Sequence, residues 1–583
     1  MAAHVITLGS PQPTSSQQRS TRRRRLLLIV VSIVSLALAV ATAVSLTILI
    51  AVRRSRPAPG TEAITRACGA TLYPELCISE LTDFTGAADA DLVPVSLNAT
   101  RQRVEDALSS ATALVGARPT AAAAAYSDCL DMLDIAGELL KRSVSRATGS
   151  APTGGPAAAA DADSDRAEPK HNRRDDVMTW LSAALTYYDT CRDGLQRAGA
   201  DDEDGRIKAQ MVQDLGNLGE HLSNSLAIFK ARSRFLGSSG DDFPFPPRWV
   251  KHGDRGLLQV AAGADDIVPD MVVAKDGSGT HLSISDAVEA APEKSSRRVV
   301  IYVKAGTYEE NVQVGLRKTN LMLMGAGADK TAVVGRRSVA DGMRTFDTAT
   351  VSVTGDGFMM RDMTVENRAG PASHQAVALL VSADHAVVYR CAVLGYQDTL
   401  YAHAQRQFYR DCEVAGTVDV VFGNAAAVLQ NCTLRARRPL PGQKNTVTAQ
   451  GRADPNQSTG TSVHACRLLP SPEYPTTTYL GRPWKPYSRV VYMMSDMAGH
   501  VDAAGWLAWD ASGRAPDSTV YYGEYQNSGP GAAVQGRLEW PGHHVITSAA
   551  EAMAFTVGRF IGGRSWLPYT GAAFVAGLAA RDE

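Results

Sequence analysis

The first strong pattern along the chain is a block of 27 uncharged, mostly apolar residues at 26–52, with arginines directly before and after it. A helix of that length reaches ~40 Å, which is enough to span a bilayer. Five arginines precede the block, which favours a cytoplasmic basic tail at 1–25 and a lumenal body. Small residues at Ala39 and Ala41 equally suit cleavage by signal peptidase. The block is therefore predicted to be a transmembrane signal-anchor or a signal peptide.

Residues 61–235 place apolar side chains at the three- and four-residue spacing of an amphipathic helix, most clearly over 129–140 and 177–188. Between these stretches, 147–176 is rich in Ala, Gly, Asp and Arg and shows no period, which predicts a flexible insert. The pattern predicts an all-α four-helix bundle with one loose connection.

The spacing of apolar residues changes after a Pro-rich segment at 236–269, which is predicted to be a linker. From 270 to 583, short β-branched runs alternate with Gly, Asp and Asn turns. A weak repeat carries Cys391, Cys412 and Cys432 at intervals of 21 and 20 residues. A period near 20 built from short strands predicts an all-β parallel β-helix, with a β-sandwich as the alternative.

Composition narrows the range of functions. The chain has 583 residues, 45% of them apolar and 20% charged, which is typical of a globular protein with more than one domain. Its formal net charge is −1, so nucleic acid is not a predicted partner, and an acidic polymer would have to be held by local contacts.

The cysteines and sequons indicate an oxidising compartment. No CxxC pair is present, so zinc binding and thiol redox chemistry are disfavoured and disulfides are expected, with buried thiols as the alternative. Sequons at Asn98, Asn431 and Asn456 predict N-glycosylation. The eight cysteines fall into two sets of four: Cys68, Cys77, Cys129 and Cys191, then Cys391, Cys412, Cys432 and Cys466.

Two carboxylates follow the same period as the cysteines. Asp398 and Asp419 are 21 residues apart, so they would occupy the same point of successive coils, ~4.8 Å apart across stacked strands. Gln375 and Gln397 are 22 apart and fall near the same row. Two close carboxylates do not both ionise freely, which predicts a protonated acid beside an ionised nucleophile. The alternative is that both are turn aspartates.

From residue 272 onward the sequence resembles the plant pectin methylesterases in many separate blocks. The resemblance implies a right-handed parallel β-helix that hydrolyses methyl esters of galacturonate units in pectin, releasing methanol in the cell wall. The matching blocks are Val272-Val-Ala-Lys-Asp-Gly-Ser-Gly279, His374-Gln-Ala-Val-Ala-Leu379, Tyr396-Gln-Asp-Thr-Leu-Tyr401, Gly416-Thr-Val-Asp419, Phe422-Gly-Asn-Ala425, Leu480-Gly-Arg-Pro-Trp-Lys485 and Tyr521-Tyr-Gly-Glu-Tyr525.

The resemblance also implies a role for each site residue. No metal or other cofactor is predicted, because the sequence has no cluster of His, Asp and Glu with ligand spacing around these residues. Asp419 would attack the ester carbonyl, and Asp398 would protonate the departing methanol and then activate water. The amides of Gln375 and Gln397 would stabilise the oxyanion. The remaining implied contacts are Arg482 to Asp419 and to substrate, and Trp484 and Thr345 to substrate.

The front domain resembles the pectin methylesterase inhibitor family, through Tyr126-Ser-Asp-Cys-Leu130 and the run Asp189-Thr-Cys191. This resemblance implies an autoinhibitory domain and the disulfides Cys68–Cys77 and Cys129–Cys191. The catalytic resemblance implies Cys432–Cys466. Cys391–Cys412 is predicted from the coil period, since stacked coils bring Cα atoms within the ~4.4–6.8 Å that a bridge requires.

By resemblance, a subtilase-type protease would remove the front domain at a basic site. Arg255-Gly-Leu-Leu258 is one basic residue short of the family pattern, and Arg234 is a second candidate. Separate inhibitor proteins are further implied partners. The substrate subsite also departs from the family, because Val420 and Val421 follow Asp419 where an aromatic residue and Ile are usual.

Other functions are disfavoured by missing features. A pectate lyase needs an acidic Ca²⁺ cluster, an inverting glycosidase needs carboxylates ~6.5–9.5 Å apart, and a serine esterase needs a G-x-S-x-G elbow. The non-enzyme alternative is an inhibitor or wall-binding protein with a dead catalytic domain. The intact set of matched residues opposes that alternative.

Overall fold

The computed structural model describes residues 15–55, 59–83, 92–115, 123–148, 170–197, 202–233, 267–473, 476–509 and 517–578. The chain divides into two compact units, Met1–Arg66 and Ala67–Glu583. In the first unit, helix α1 (Ser15–Ser55) contains the stretch Arg22–Thr47, the one described segment long and apolar enough to cross a membrane. The predicted apolar helix is confirmed, and both a signal-anchor and a cleaved signal are compatible with it.

A four-helix bundle follows, as predicted. Its packed helices are α4, α5, α6 and α8, in the cyclic order α4–α5–α6–α8. Along α5, Cys129, Leu133, Ala136 and Leu140 are fully buried, and their spacing of three and four residues puts them on one face. The helices are α2 (Pro59–Cys68), α3 (Pro74–Asp83), α4 (Leu92–Val115), α5 (Ala123–Thr148), α6 (Lys170–Arg197), α7 (Asp202–Leu215) and α8 (Leu218–Ser233).

The predicted insert at 147–176 is wrong at both ends. Helix α5 continues to Thr148 and helix α6 already begins at Lys170. One physical reason is Asp176, whose carboxylate accepts hydrogen bonds from Arg146 and Arg406 and fixes the first turns of α6. The rest of that insert, most of the predicted linker, and the two candidate cleavage positions Arg234 and Arg255 lie outside the described residues.

A parallel β-helix forms the rest of the second unit, and the sandwich alternative is excluded because every paired strand is parallel. Each full coil contributes one strand to each of three sheets. The seven-stranded sheet has the order β22-β19-β16-β13-β10-β7-β4. Its strands are β4 (Val312–Val314), β7 (Val351–Val353), β10 (Leu379–Val381), β13 (Leu400–Ala402), β16 (Val421–Gly423), β19 (Asn445–Gln450) and β22 (Thr478–Gly481).

The other two sheets have eleven and eight strands. The first contains β1 (Met271–Val273), β2 (Val299–Val303), β5 (Leu321–Gly325), β8 (Met359–Arg361), β11 (Ala386–Tyr389), β14 (Arg406–Arg410), β17 (Ala426–Gln430), β20 (Gly460–His464), β23 (Arg489–Met493), β25 (Tyr521–Tyr525) and β26 (His543–Val545). The second contains β3 (Gly306–Glu309), β6 (Thr331–Gly335), β9 (Thr364–Asn367), β12 (Ala392–Leu394), β15 (Glu413–Gly416), β18 (Thr433–Ala436), β21 (Arg467–Leu469) and β24 (Asp496–Met497).

The interior of the β-helix is a stack of apolar side chains. Val351, Leu379, Leu400 and Val421 follow one another in register across the seven-stranded sheet, and each is at most 1% exposed. Such stacking lets every coil bury its β-branched and leucine side chains on the next coil. Three short helices complete the unit: α9 (Ile284–Ala290), α10 (Ala549–Met553) and α11 (Val557–Phe560).

Two of the four predicted disulfides are present. Cys68–Cys77 and Cys129–Cys191 join Cα atoms 5.6 and 4.4 Å apart. The second bridge ties α5 to α6, two of the four packed helices.

The predicted Cys391–Cys412 and Cys432–Cys466 bridges are wrong, since all four residues are buried free thiols. The four stack in one column because the strands that follow them are in register. Side chains in a parallel ladder point the same way, with Cβ atoms ~4.8 Å apart instead of the ~3.8 Å typical of a disulfide. Each thiol instead donates to a main-chain carbonyl, as Cys412 does to Arg410 at 3.2 Å.

Candidate active site

Asp398 and Asp419 lie at the same point of adjacent coils. Leu400 pairs with Val421 in the parallel register of β13 and β16, and each aspartate stands two residues before its strand. Both residues have left-handed backbones, with φ of 61° and 54°, a conformation that aspartate tolerates better than most residues. Asp398 is 8% exposed and Asp419 is 4% exposed. The fold thus stacks two carboxylates just before the N-terminal ends of two neighbouring strands of the seven-stranded sheet. Both carboxylates are shielded from solvent.

Asp419 is held by two side chains from later coils. Nε and Nη2 of Arg482 donate to its two carboxylate oxygens at 2.8 and 2.7 Å, a bidentate arrangement. The Thr446 hydroxyl donates to Oδ1 of Asp419 at 2.7 Å and accepts from its main-chain N–H at 2.8 Å. Burial acts to lower the pKa of Arg482, but the hydrogen bonds and charge of Asp419 outweigh burial and raise it.

Thr446 was not found from the sequence. It is fully buried on β19, the next strand of the sheet after β16. It stands 27 residues after Asp419 because the intervening coil carries a longer loop, so the period near 20 does not reach it. Strand register, rather than sequence spacing, brings it to the carboxylate.

The two glutamines also lie together. Gln375 and Gln397 form a parallel bridge between adjacent coils, and both are half-buried at the wall of the cavity that contains the aspartates. Thr345 lines the same cavity from a 3₁₀ turn, Thr345–Thr348, whose Thr348 hydroxyl donates to the Thr345 carbonyl at 2.8 Å. The structure therefore brings every sequence-predicted catalytic and substrate-binding residue to one cavity.

Aromatic rings form one wall of this cavity. Tyr401 and Phe422 stack with centroids 4.1 Å apart, and Trp484 lies 6.1 Å from Phe422. Trp509 packs on the Arg482 guanidinium at 4.4 Å. Gly451 leaves room for this wall, since a Cβ there would stand 2.7 Å from the Trp484 ring. The sequence identified Trp484 alone, although Tyr401 and Phe422 stand in outward-facing positions of β13 and β16.

The helical bundle covers one side of the cavity. Its residues Met132, Thr190, Asp193 and Gly194 line the cavity together with Asp398 and Asp419. The cavity that remains has a volume of ≈ 130 Å³, well below the ~300–1,000 Å³ of ordinary ligand sites. The docked bundle therefore narrows the space beside the two aspartates.

The glycosylation candidates differ in exposure. Asn98 and Asn431 are exposed, as glycan attachment requires. Asn456 is half-buried against the bundle, where Lys230 donates to its side-chain oxygen at 3.4 Å.

Among the described residues, no group of three or more His, Cys, Asp or Glu side chains is arranged to hold a metal ion. Asp419, the most central carboxylate of the site, has its two oxygens committed to Arg482 and Thr446.

Comparison with known proteins gives the family. The family model Pectinesterase matches residues 270–564, and the model Plant invertase/pectin methylesterase inhibitor matches residues 62–228. The protein named probable pectinesterase/pectinesterase inhibitor 61 from Arabidopsis thaliana is 48% identical over 541 residues, covering 89% of this chain and 88% of that relative. A pectinesterase/pectinesterase inhibitor from Ficus pumila var. awkeotsang is 42% identical over 528 residues, covering 88% and 92%.

A solved structure supports the same assignment. The pectin methylesterase from carrot is 51% identical, with a TM-score of 0.52, and the match covers 54% of this chain and 99% of that one. Family models, curated relatives and fold therefore agree with the geometry of the paired aspartates: the chain belongs to the pectinesterase family of carboxylic ester hydrolases and carries an inhibitor-like helical domain ahead of its catalytic β-helix.

Proposed function

We propose that the chain hydrolyses the methyl esters of galacturonate units in methyl-esterified homogalacturonan (pectin), with Asp419 as the nucleophile. The observation that carries this proposal is the Asp419 carboxylate, fixed by Arg482 and Thr446 directly beside Asp398. A carboxylate that accepts bidentate hydrogen bonds from a guanidinium is kept ionised and oriented. Both properties are what attack on an ester carbonyl requires.

In the first step, an Asp419 oxygen adds to the ester carbonyl carbon and the carbonyl oxygen becomes an oxyanion. The side-chain amides of Gln375 and Gln397, which line the same cavity, are placed to donate to it. The C–O bond to methoxide then breaks, and the carboxyl proton of Asp398 passes to the leaving oxygen, so methanol departs. The galacturonyl group remains on Asp419 as a mixed anhydride.

In the second step, the ionised Asp398 takes a proton from water, and the hydroxide attacks the acyl carbon. The bond to Asp419 breaks, which releases the galacturonic acid carboxyl group and restores the free nucleophile, and the released carboxyl group then loses its proton to solvent. Asp398 keeps the proton for the next methoxide. One water is consumed for each methanol formed, and neither step needs an ion or a coenzyme.

The bundle acts as an internal inhibitor in this proposal. Beyond the residues that line the cavity, the Tyr187 hydroxyl meets the Ser382 hydroxyl at 2.6 Å, and the Thr190 hydroxyl meets Nε2 of His403 at 2.8 Å. Burial lowers the pKa of His403 to about 3, so this ring stays neutral within the interface. Linkage through one chain gives the bundle an effective concentration in the millimolar range, which favours a closed cleft.

Activity in the wall therefore requires removal of the bundle. We propose cleavage near Arg255 or Arg234 by a subtilase-type protease on the secretory route, followed by action of the β-helix in the cell wall. Separate inhibitor proteins of the same bundle type would then compete for the uncovered cleft. Methanol release from methyl-esterified pectin by the cut protein, and not by the intact chain, tests the proposal.

Asp398→Asn should lower kcat for methanol release by roughly 10²–10⁴-fold, because an amide neither donates a proton to methoxide nor accepts one from water. The change is nearly isosteric, so the melting temperature should move little. Steady-state kinetics on methyl-esterified pectin, with the melting curve as control, measure both. Turnover near that of the unsubstituted protein would remove Asp398 from the mechanism.

Dialysis against EDTA should leave methanol release unchanged. The reason is that Arg482, which donates to Asp419 at 2.7 Å, already supplies the positive charge that a metal ion would bring to this carboxylate. The assay compares the dialysed protein with samples to which Ca²⁺ or Zn²⁺ is returned. Lost activity that either ion restores would contradict the mechanism as written.

A further inference from the structure

Two ion pairs join the bundle to the β-helix at the cleft, and both have the cation on the same side of the interface. Nζ of Lys485 in the β-helix lies 2.7 Å from Oδ2 of Asp193 in the bundle. Arg344 in the β-helix pairs with Asp128 in the bundle through Nη2. At both places the cleft supplies the cation and the bundle supplies the carboxylate.

These two cations stand on either side of the catalytic pair. Arg344 precedes β7, which lies two strands before the β13 of Asp398 in the sheet order. Lys485 follows β22, which lies two strands beyond the β16 of Asp419. With strands ~4.8 Å apart, each cation is about two coils, or ~10 Å, from the nearer aspartate along the axis.

Lys485 depends on the bundle for its counter-charge. Within the described part of the chain, Asp193 is the one carboxylate at ion-pair distance from it. The Lys485 side chain is 20% exposed and lies 5.6 Å from the Trp484 ring, at the aromatic wall of the site. When the bundle leaves, the Lys485 ammonium loses this partner and becomes available to another carboxylate.

Arg344 is arranged similarly, but it depends less on the bundle for a counter-charge. It keeps a partner of its own in Asp347, at 2.8 Å, and it lines the cavity beside Thr345. The bundle approaches it closely, since a Cβ on Gly194 would stand 3.3 Å from Nη1 of Arg344. The guanidinium thus keeps further donors for an anion in the cleft.

We propose that Lys485, with Arg344 as the weaker partner, binds the free carboxylates of de-esterified galacturonate units flanking the ester under attack, and that Asp193 and Asp128 of the bundle mimic those carboxylates. This inference rests on the proposed function. A de-esterified unit and an aspartate present the same group to a cation. Lys485 and Arg344 are therefore the groups of this chain that distinguish a de-esterified unit from a methyl-esterified one.

Another ion pair of the same interface serves as a matched control. Arg142 of the bundle pairs with Asp356 of the β-helix at 2.6 Å, with the opposite polarity, and neither residue lines the cleft cavity. Asp356→Asn should weaken bundle docking without affecting carboxylate binding in the cleft. Lys485→Gln should weaken both.

The test uses the full chain with a site-specific protease sequence inserted between 236 and 266, cut and separated from the bundle. Inhibition of methanol release by a fully de-esterified oligogalacturonate is then measured. Lys485→Gln should raise the inhibition constant roughly 10-fold, the loss expected for one charge-assisted contact. Lys485→Arg should retain most of the affinity, and Asp356→Asn should stay within about twofold of the parent, because it leaves the cation in place.

An unchanged inhibition constant for Lys485→Gln, together with weaker rebinding of the bundle, would overturn the inference and leave Lys485 as a docking contact only. This result is distinct from failure of the proposed function, in which the folded, cut parent releases no methanol from pectin. In that event calorimetric binding of the same oligogalacturonate to the parent and to Lys485→Gln decides the inference independently. Equal affinities there would overturn it.

Discussion

Asp419→Ala abolishes methanol release from pectin, with an expected loss in kcat of roughly 10⁴-fold or more. Among the described residues of the cavity, Asp398 is the other carboxylate of the β-helix, and its proposed task is proton transfer. Removal of Asp419 also leaves the Arg482 guanidinium without its bidentate acceptor. The loss is measured by steady-state kinetics of methanol release from methyl-esterified pectin, with the β-helix cut from the bundle and separated from it.

A matched control separates chemistry from folding in this variant. Thr446→Val removes two hydrogen bonds with Asp419, one to its carboxylate and one from its main-chain N–H, but keeps the nucleophile, so a loss nearer 10-fold in kcat is expected. Formate, a small carboxylate able to enter the space left by the side chain, should restore part of the activity of Asp419→Ala and none of that of Thr446→Val. A folded Asp419→Ala protein with normal turnover would show that another group attacks the ester.

Cutting the chain between 236 and 266 and removing the bundle should raise methanol release by roughly 100-fold. In the intact protein a cavity of ≈ 130 Å³ remains beside the aspartates, and Met132, Thr190 and Gly194 of the bundle line it. Release of the bundle opens that space and frees Lys485 and Arg344. The assay compares intact, cut, and cut-and-separated samples at equal concentration.

The order of activities in these samples is informative. The cut but unseparated sample should be intermediate and should become more active on dilution, because the bundle is then held by ordinary affinity instead of by linkage. High salt should increase its activity further, since the pairs Asp193–Lys485 and Asp176–Arg406 cross the interface. An intact chain as active as the separated β-helix would show that the bundle does not inhibit.

The periodic part of the molecule could be predicted from the sequence. The interval between Asp398 and Asp419 equals one coil, so the strand register that stacks them is already present in the spacing. The same reasoning failed for the cysteines, because a period fixes which Cα atoms are neighbours and not whether their side chains converge. Cys391 and Cys412 are neighbours in the column, yet each thiol donates to a main-chain carbonyl, that of Tyr389 for Cys391 and those of Val388 and Arg410 for Cys412.

The non-periodic contacts could not be predicted. Thr446 reaches Asp419 after a longer coil, and the pair Asp193–Lys485 joins residues 292 positions apart in two different domains. The N-terminal turn of α6 was assigned to a flexible insert because its composition is polar, whereas contacts of Asp176 with both domains stabilise the helix there. Such contacts depend on tertiary packing, which local sequence patterns do not determine.

The most direct test of the account measures methanol, new carboxylates and chain length together, during reaction of the separated β-helix with highly methyl-esterified pectin. We predict one new carboxylate for each methanol, with no change in chain length and no unsaturated product. Chain shortening, unsaturated ends, or a folded protein that yields no methanol would contradict it.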